Sequence, residues 1–164
     1  MESFLGMLNK LVDSKESNGM ACFILVGFYK ERKIELYTRG VDLGCIDAMY
    51  ALGLCYDNGT GVKKNRNKAI QLWEQAAMAG SSNARLCLGA IEDMRNNKER
   101  AIKHWMIAAM AGDDNALKCI ENDYNKNHVT EKDFNLARRV HTISKKTTTT
   151  KHRKQAAIAM GHYK

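Results

Sequence analysis

The feature that most constrains this chain is that one segment of it returns. Leu52 and Gly53 recur 36 residues further on as Leu88 and Gly89, and beyond a Gly59-Thr60-Gly61-Val62 loop Lys68, Ala69, Trp73, Ala76, Ala77 and Gly80 recur 32 residues further on as Arg100, Ala101, Trp105, Ala108, Ala109 and Gly112. Self-similarity at a period of this size means one supersecondary unit stacked on copies of itself, each burying a face that it cannot bury alone. A chain of 164 residues has room for one such stack.

The unit is helical. Proline is absent from the whole chain, and alanine, leucine, methionine, lysine and glutamate are frequent, which favours helix over strand. Leu52 and Tyr56 fall four apart, and Ala69, Trp73, Ala76 and Ala77 fall at i, i+4, i+7 and i+8, so each set lines one face of its own helix. The small residues Gly53, Ala76 and Ala77 let two helices approach closely with aromatic rings between them, as Gly89, Ala108 and Ala109 do around Trp105. The expected fold is therefore all-α, built from antiparallel helix pairs.

Copies at about 20–45, 47–80 and 83–112, a half copy at 114–125 and a capping helix at 130–143 make up a single helical-repeat domain over 1–143. In the first copy Gly27, Tyr37 and Gly44 match Gly53, Trp73 and Gly80, but the separation of Gly27 and Ile34 is 7 residues where that of Gly53 and Ile70 is 17. Its two helices must turn tightly around Lys30 to Lys33, the favoured reading, or fuse into one. Residues 1–17 read as an amphipathic capping helix ending in a turn from Asp13; a membrane-surface helix would want a basic polar face, and only Lys10 lies within the helix, ahead of that turn. Thr130, followed by Glu131 and Asp133, starts the terminal helix with an N-cap and an acidic first turn.

Charge is unevenly placed. The formal net charge is +8, yet residues 1–125 hold sixteen cations and sixteen anions, and all the excess falls in 126–164. Ser144 to Lys154 contains four threonines together with Lys145, Lys146, Lys151, Arg153 and Lys154, so 144–164 reads as a basic, flexible tail.

Several readings of chemistry fall away. Asn58 to Val62 has the glycines of a phosphate loop but no preceding strand and no Gly-Lys-Ser/Thr, so they serve an inter-helix turn. Cys22, Cys45, Cys55, Cys87 and Cys119 are odd in number and contain no C-x-x-C pair, which argues against a disulfide framework or a metal site. They read as reduced, small core residues of an intracellular protein, cytoplasmic or alternatively nuclear, with no apolar run of about 20 residues to span a membrane. The five histidines are scattered, no catalytic set stands out, and no cofactor is implied.

Taken together, A-x-x-x-L-G-x-x-Y, G-x-G-V and K-A-x-x-x-W-x-x-A-A-x-x-G resemble the Sel1-like repeat family, longer-looped relatives of tetratricopeptide repeats. The resemblance is strongest over Asp47 to Gly112. It implies a right-handed α-solenoid, about three and a half repeats with capping helices, acting as a non-enzymatic adaptor that binds a protein or peptide. In that family the first helix of each pair lines the concave face. The residues this places in the groove are Ile24 and Phe28, then Asp47, Tyr50, Leu54 and Asp57, then Asn83, Leu86, Ala90 and Asp93, then Asn115 and Lys118. The plainer alternative is that several of these pack against neighbours. From a different class, the basic tail suggests binding to nucleic acid or another anionic surface.

Overall fold

A computed structural model describes Gly6, Lys10 and residues 32–159, with side chains through residue 148. Nearly all of the expected capping helix at 1–17 lies outside the described residues. So do the first half of the first repeat, with Ile24, Phe28 and the turn at Lys30, and the side chains of Lys151, Arg153 and Lys154.

Seven helices and no strand occur among the described residues. They are α1 (Lys33–Asp42), α2 (Ile46–Asn58), α3 (Arg66–Met78), α4 (Ser82–Met94), α5 (Lys98–Met110), α6 (Asp114–Asn125) and α7 (Glu131–Ala159). The chain forms two compact units, residues 1–84 and 85–164.

The helix pairs are joined by one repeated device. Gly44, Gly80 and Gly112 sit at φ of 74, 100 and 99°, the left-handed region that a side chain disfavours. Each amide bonds back to a carbonyl three residues earlier: Gly44 to Val41 (2.9 Å), Gly80 to Ala77 (3.2 Å) and Gly112 to Ala109 (2.9 Å). The residue after each glycine reaches five back, Cys45 to Gly40 (2.8 Å), Ser81 to Ala76 (2.9 Å) and Asp113 to Ala108 (3.1 Å). This is the Schellman closure of a helix C-terminus. The residue completing it also opens the next helix: Ser81 Oγ accepts from the Ala84 amide (3.2 Å), and Asp113 Oδ1 from the Asn115 and Ala116 amides (2.9 Å each).

In the first unit Tyr37, Cys45, Ala48, Leu52 and Cys55 form a core against which Leu72 packs. Trp73 is 2% exposed, and a Cβ at Gly53 would overlap its indole, so the glycine is what admits the ring. Tyr56 sits differently from the sequence reading: it is half-buried at the margin of the core, with Lys68 Nζ 5.2 Å from its ring centroid. The loop glycines Gly59 and Gly61 take φ of 76 and 72°, as a turn requires, and Ile34 packs against Gly61.

In the second unit Ala101, Trp105, Ala108, Ala109, Ala116, Ile120, Val129, Phe134 and Ala137 make the core, and Gly89 gives way to Trp105 as Gly53 does to Trp73. Tyr124 stacks on Phe134 with ring centroids 4.6 Å apart. Short turns close α4 and α6, with Asn96 and Asn127 at φ of 63 and 59° taking the place of glycine.

The terminal helix does not stop at Ile143 as the sequence suggests; α7 continues to Ala159. The threonine run was expected to break it because β-branched side chains lower helix propensity. Thr142, Thr147 and Thr148 instead donate their hydroxyls to the carbonyls of Arg138 (2.8 Å), Ile143 (2.9 Å) and Ser144 (3.0 Å). Bonding to the i−4 carbonyl satisfies the hydroxyl without leaving the helix. The helix is also tied down, since Lys145 Nζ meets Asp114 Oδ2 at 2.6 Å and buried His141 lies 2.9 Å from Asp114 Oδ1.

Candidate partner-binding surfaces

On α2 the buried residues are Ala48, Leu52, Gly53 and Cys55. The positions between them, Asp47, Tyr50, Leu54 and Asp57, fall on the opposite side at i, i+3, i+7 and i+10. Asp47 is exposed, while Tyr50, Leu54 and Asp57 are half-buried. Leu54 also lines a cavity of about 200 Å³ with Lys33, Tyr37, Ala51 and Cys55. Burial pushes the Tyr37 hydroxyl and the Cys55 thiol above their ordinary ranges, so both stay neutral near neutral pH.

On α4, Asn83 and Ala90 are exposed and Leu86 and Asp93 half-buried; on α6, Asn115 and Lys118 are exposed. Leu86 packs against the core of the second unit. The two aspartates near the ends of first helices share an arrangement. Asp57 accepts from Arg66 Nε at 2.9 Å, and Asp93 is ion-paired to Lys98, so in each repeat the carboxylate holds the first residue of the following helix. The Lys98 ammonium is raised above the lysine range, chiefly by Asp93, and lies 3.4 Å from the buried carboxylate of Asp123.

A larger concavity escaped the sequence reading. Between α5 and the start of α7 lies a cavity of about 730 Å³, floored by Ile102, Met106, Ile107 and Val129 and rimmed by Lys103 and His128. Its signal in the sequence is that Ile102, Met106 and Ile107 fall off the Ala101, Trp105, Ala108, Ala109 stripe, which makes α5 apolar on a second face. Trp105 and its alanines account for a core without these positions, so the second face carries no separate spacing signal.

Among the described residues no group of three or more His, Cys, Asp or Glu side chains could hold a metal ion, and Cys45, Cys55, Cys87 and Cys119 are free thiols. The Cys119 thiol is pushed up by burial and then by the carboxylates of Asp123, Asp113 and Asp93, the reverse of what a nucleophilic cysteine needs. No helix among the described residues is long and apolar enough to cross a membrane.

Helix pairs closed by a glycine and packed around a tryptophan set on a glycine define a helical-hairpin repeat of the α-solenoid class. The Sel1 repeat model matches residues 46–81 and 85–113, two consecutive copies of that repeat. Solved Sel1-type structures share the fold. A protective antigen from uropathogenic Escherichia coli with an SLR fold is 24% identical with a TM-score of 0.72, covering 89% of this chain and 34% of its own. A Sel1 repeat protein from Oxalobacter formigenes is 24% identical with a TM-score of 0.67, covering 87% and 63%. Cysteine rich protein B of Helicobacter pylori is 25% identical with a TM-score of 0.57, covering 71% and 97%. By sequence, the mouse DAP3-binding cell death enhancer 1 is 29% identical over 90 residues, 51% of this chain and 18% of that protein. The chain thus spans under a fifth of the mouse relative's length.

Proposed function

We propose that this protein is a non-enzymatic adaptor that holds a peptide or a partner protein against the first helices of its repeats. The observation that carries the reading is the division of α2. Its core face is closed with Ala48, Leu52, Gly53 and Cys55, yet Tyr50 and Leu54 on the other side keep accessible apolar surface beside exposed Asp47. An aromatic and an aliphatic anchor next to a carboxylate suit a peptide with a bulky apolar residue and a neighbouring cation. Leu86, Ala90, Asn83, Asn115 and Lys118 extend the same role along α4 and α6, with Asp57 and Asp93 keeping the ends of their helices in place. The mouse relative supports the type of task, since its name records binding to another protein. Free thiols at the four described cysteines suit the reducing interior of a cell, and the cytoplasm is the compartment proposed.

The test is a crosslinked capture from native lysate with wild type and with Tyr50→Ala, Asp47→Arg. Both side chains lie off the core, and the Trp73 indole donates to the Tyr50 backbone carbonyl (3.2 Å), which the substitution retains. The variant should therefore melt within a few degrees of wild type and lose the captured proteins. Identical partner sets from both would remove the groove from consideration.

A further inference from the structure

The continuation of α7 to Ala159 carries the helix past the expected end at Ile143, so that Lys146 of the basic tail shares one helical face with residues before it. Phe134, Ala137 and His141 turn toward the core of the second unit. On the opposite side lie Lys132, Leu136, Arg139, Ile143 and Lys146, at successive spacings of four and three. All five are exposed, Leu136 at 45% and Ile143 at 60% of their surface. Cations and aliphatic side chains alternate along this line, no carboxylate interrupts it, and it runs for about 21 Å at 1.5 Å per residue.

We propose that this stripe is a docking seam for an acidic amphipathic helix of a partner protein, one that alternates carboxylates with aliphatic side chains at the same 3.5-residue spacing. Charge complementarity selects that occupant. A second copy of the chain would oppose cation to cation along the seam, and residues 1–125, with sixteen charges of each sign, offer no acidic excess to offset it. Nucleic acid would match the cations but not the aliphatic side chains between them, and the stripe carries no aromatic ring on which a base could stack. A lipid surface would need a broad apolar sector, whereas Leu136 and Ile143 are single positions flanked by charge. In the seam Leu136 and Ile143 lose their exposed surface to the partner's aliphatic side chains, while Lys132, Arg139 and Lys146 meet its carboxylates and fix the register.

The probe is a synthetic helix of about four heptads with Glu and Leu alternating on one face. It is titrated into the full chain and followed by anisotropy, alongside a scrambled peptide of the same composition, poly(U) RNA, and phosphatidylserine–phosphatidylcholine vesicles. The ordered peptide should bind at least about tenfold more tightly than the scrambled one. Leu136→Ser with Ile143→Ser should weaken it by a similar factor, and Lys132→Glu with Arg139→Glu should transfer binding to a peptide carrying Lys in place of Glu. Because these side chains are exposed, the far-UV circular dichroism of the variants should stay as in wild type. The proposal is overturned if ordered and scrambled peptides bind alike or neither binds. It is equally overturned if RNA or vesicles bind more tightly than the ordered peptide with no dependence on Leu136 and Ile143.

Discussion

The repeat at 46–81 and the repeat at 85–113 use the same tryptophan on the same glycine and anchor it differently. Trp73 Nε1 donates to the Tyr50 carbonyl at 3.2 Å, whereas Trp105 Nε1 is buried without a hydrogen-bond partner among the described residues. The first repeat connects its helices through the Gly59–Gly61 loop, where Asn65 caps α3 by accepting from the Lys68 amide at 3.1 Å. The second replaces the loop with a tight turn at Asn96, held by buried Glu92, which accepts from Asn97 Nδ2 (2.9 Å) and Arg95 (3.2 Å) and lies 3.6 Å from Arg100. What recurs in the sequence is thus the steric frame. Beyond the aspartate staple that both share, the polar anchoring differs, an indole bond in one and the Glu92 cluster in the other.

The largest effects test the frame. Trp73→Ala and Trp105→Ala should each cost about 3–5 kcal/mol, the usual range for deleting a large buried side chain, read by urea denaturation. Losses under about 1 kcal/mol would mean that the stack does not depend on the rings. Substituting phenylalanine separates the anchors. Trp73→Phe should cost about 1 kcal/mol more than Trp105→Phe, since only the first loses a made hydrogen bond. Equal losses would erase the distinction.

Glu92→Gln addresses the Glu92 cluster and adds a pH signature. The Asn97 hydrogen bond, with the guanidinium groups of Arg100 and Arg95, holds the Glu92 carboxyl below the usual glutamate range against the opposing effect of burial. A depressed folded pKa contributes stability that is present above the unfolded value, about 4.3, and is lost as pH falls through the folded one. The difference in melting temperature between wild type and Glu92→Gln should be full near neutral pH and close below about pH 4. A difference that persists into acid would assign the effect to packing. A smaller cost, about 1 kcal/mol, is expected for Asn96→Ala, which puts an ordinary side chain at positive φ, with Asn96→Gly near neutral. Smallest is Arg66→Ala, at about 0.2–1 kcal/mol for a largely exposed ion pair to Asp57.

The legible and illegible parts of this molecule divide along the same line as its two anchors. Gly44, Gly80 and Gly112, the alanine faces and the two tryptophans were readable because backbone conformation and close packing each admit few residue types. The cavity over Ile102, Met106 and Val129 was not, because Val129 reaches it from the loop after the next helix and no spacing within α5 reveals that partner. The extent of α7 was hidden for another reason. Threonine propensity describes an average over contexts, whereas here the hydroxyls of Thr142, Thr147 and Thr148 bond within the helix and Asp114 grips Lys145. Of the α2 face, the order of residues gave the direction each side chain takes, but not that Asp57 is held by Arg66.

The glycine joints decide where the chain tolerates a change of length. Cys45, Ser81 and Asp113 each complete the closure of one helix and begin the next, so the junction contains no spare residue. One residue inserted there would displace the end of one helix and the start of another together. Between α2 and α3 the Gly59–Gly61 turn has no such double duty, whereas Asn97 both closes α4, its amide reaching the Glu92 carbonyl (2.8 Å), and begins α5, and this shorter loop is why 36 residues separate Gly44 from Gly80 but 32 separate Gly80 from Gly112. Loop grafting and insertion of tags should therefore succeed at Thr60 and fail beside Gly80, Asn96 or Gly112, which makes the turns of the two repeats unequal as engineering sites.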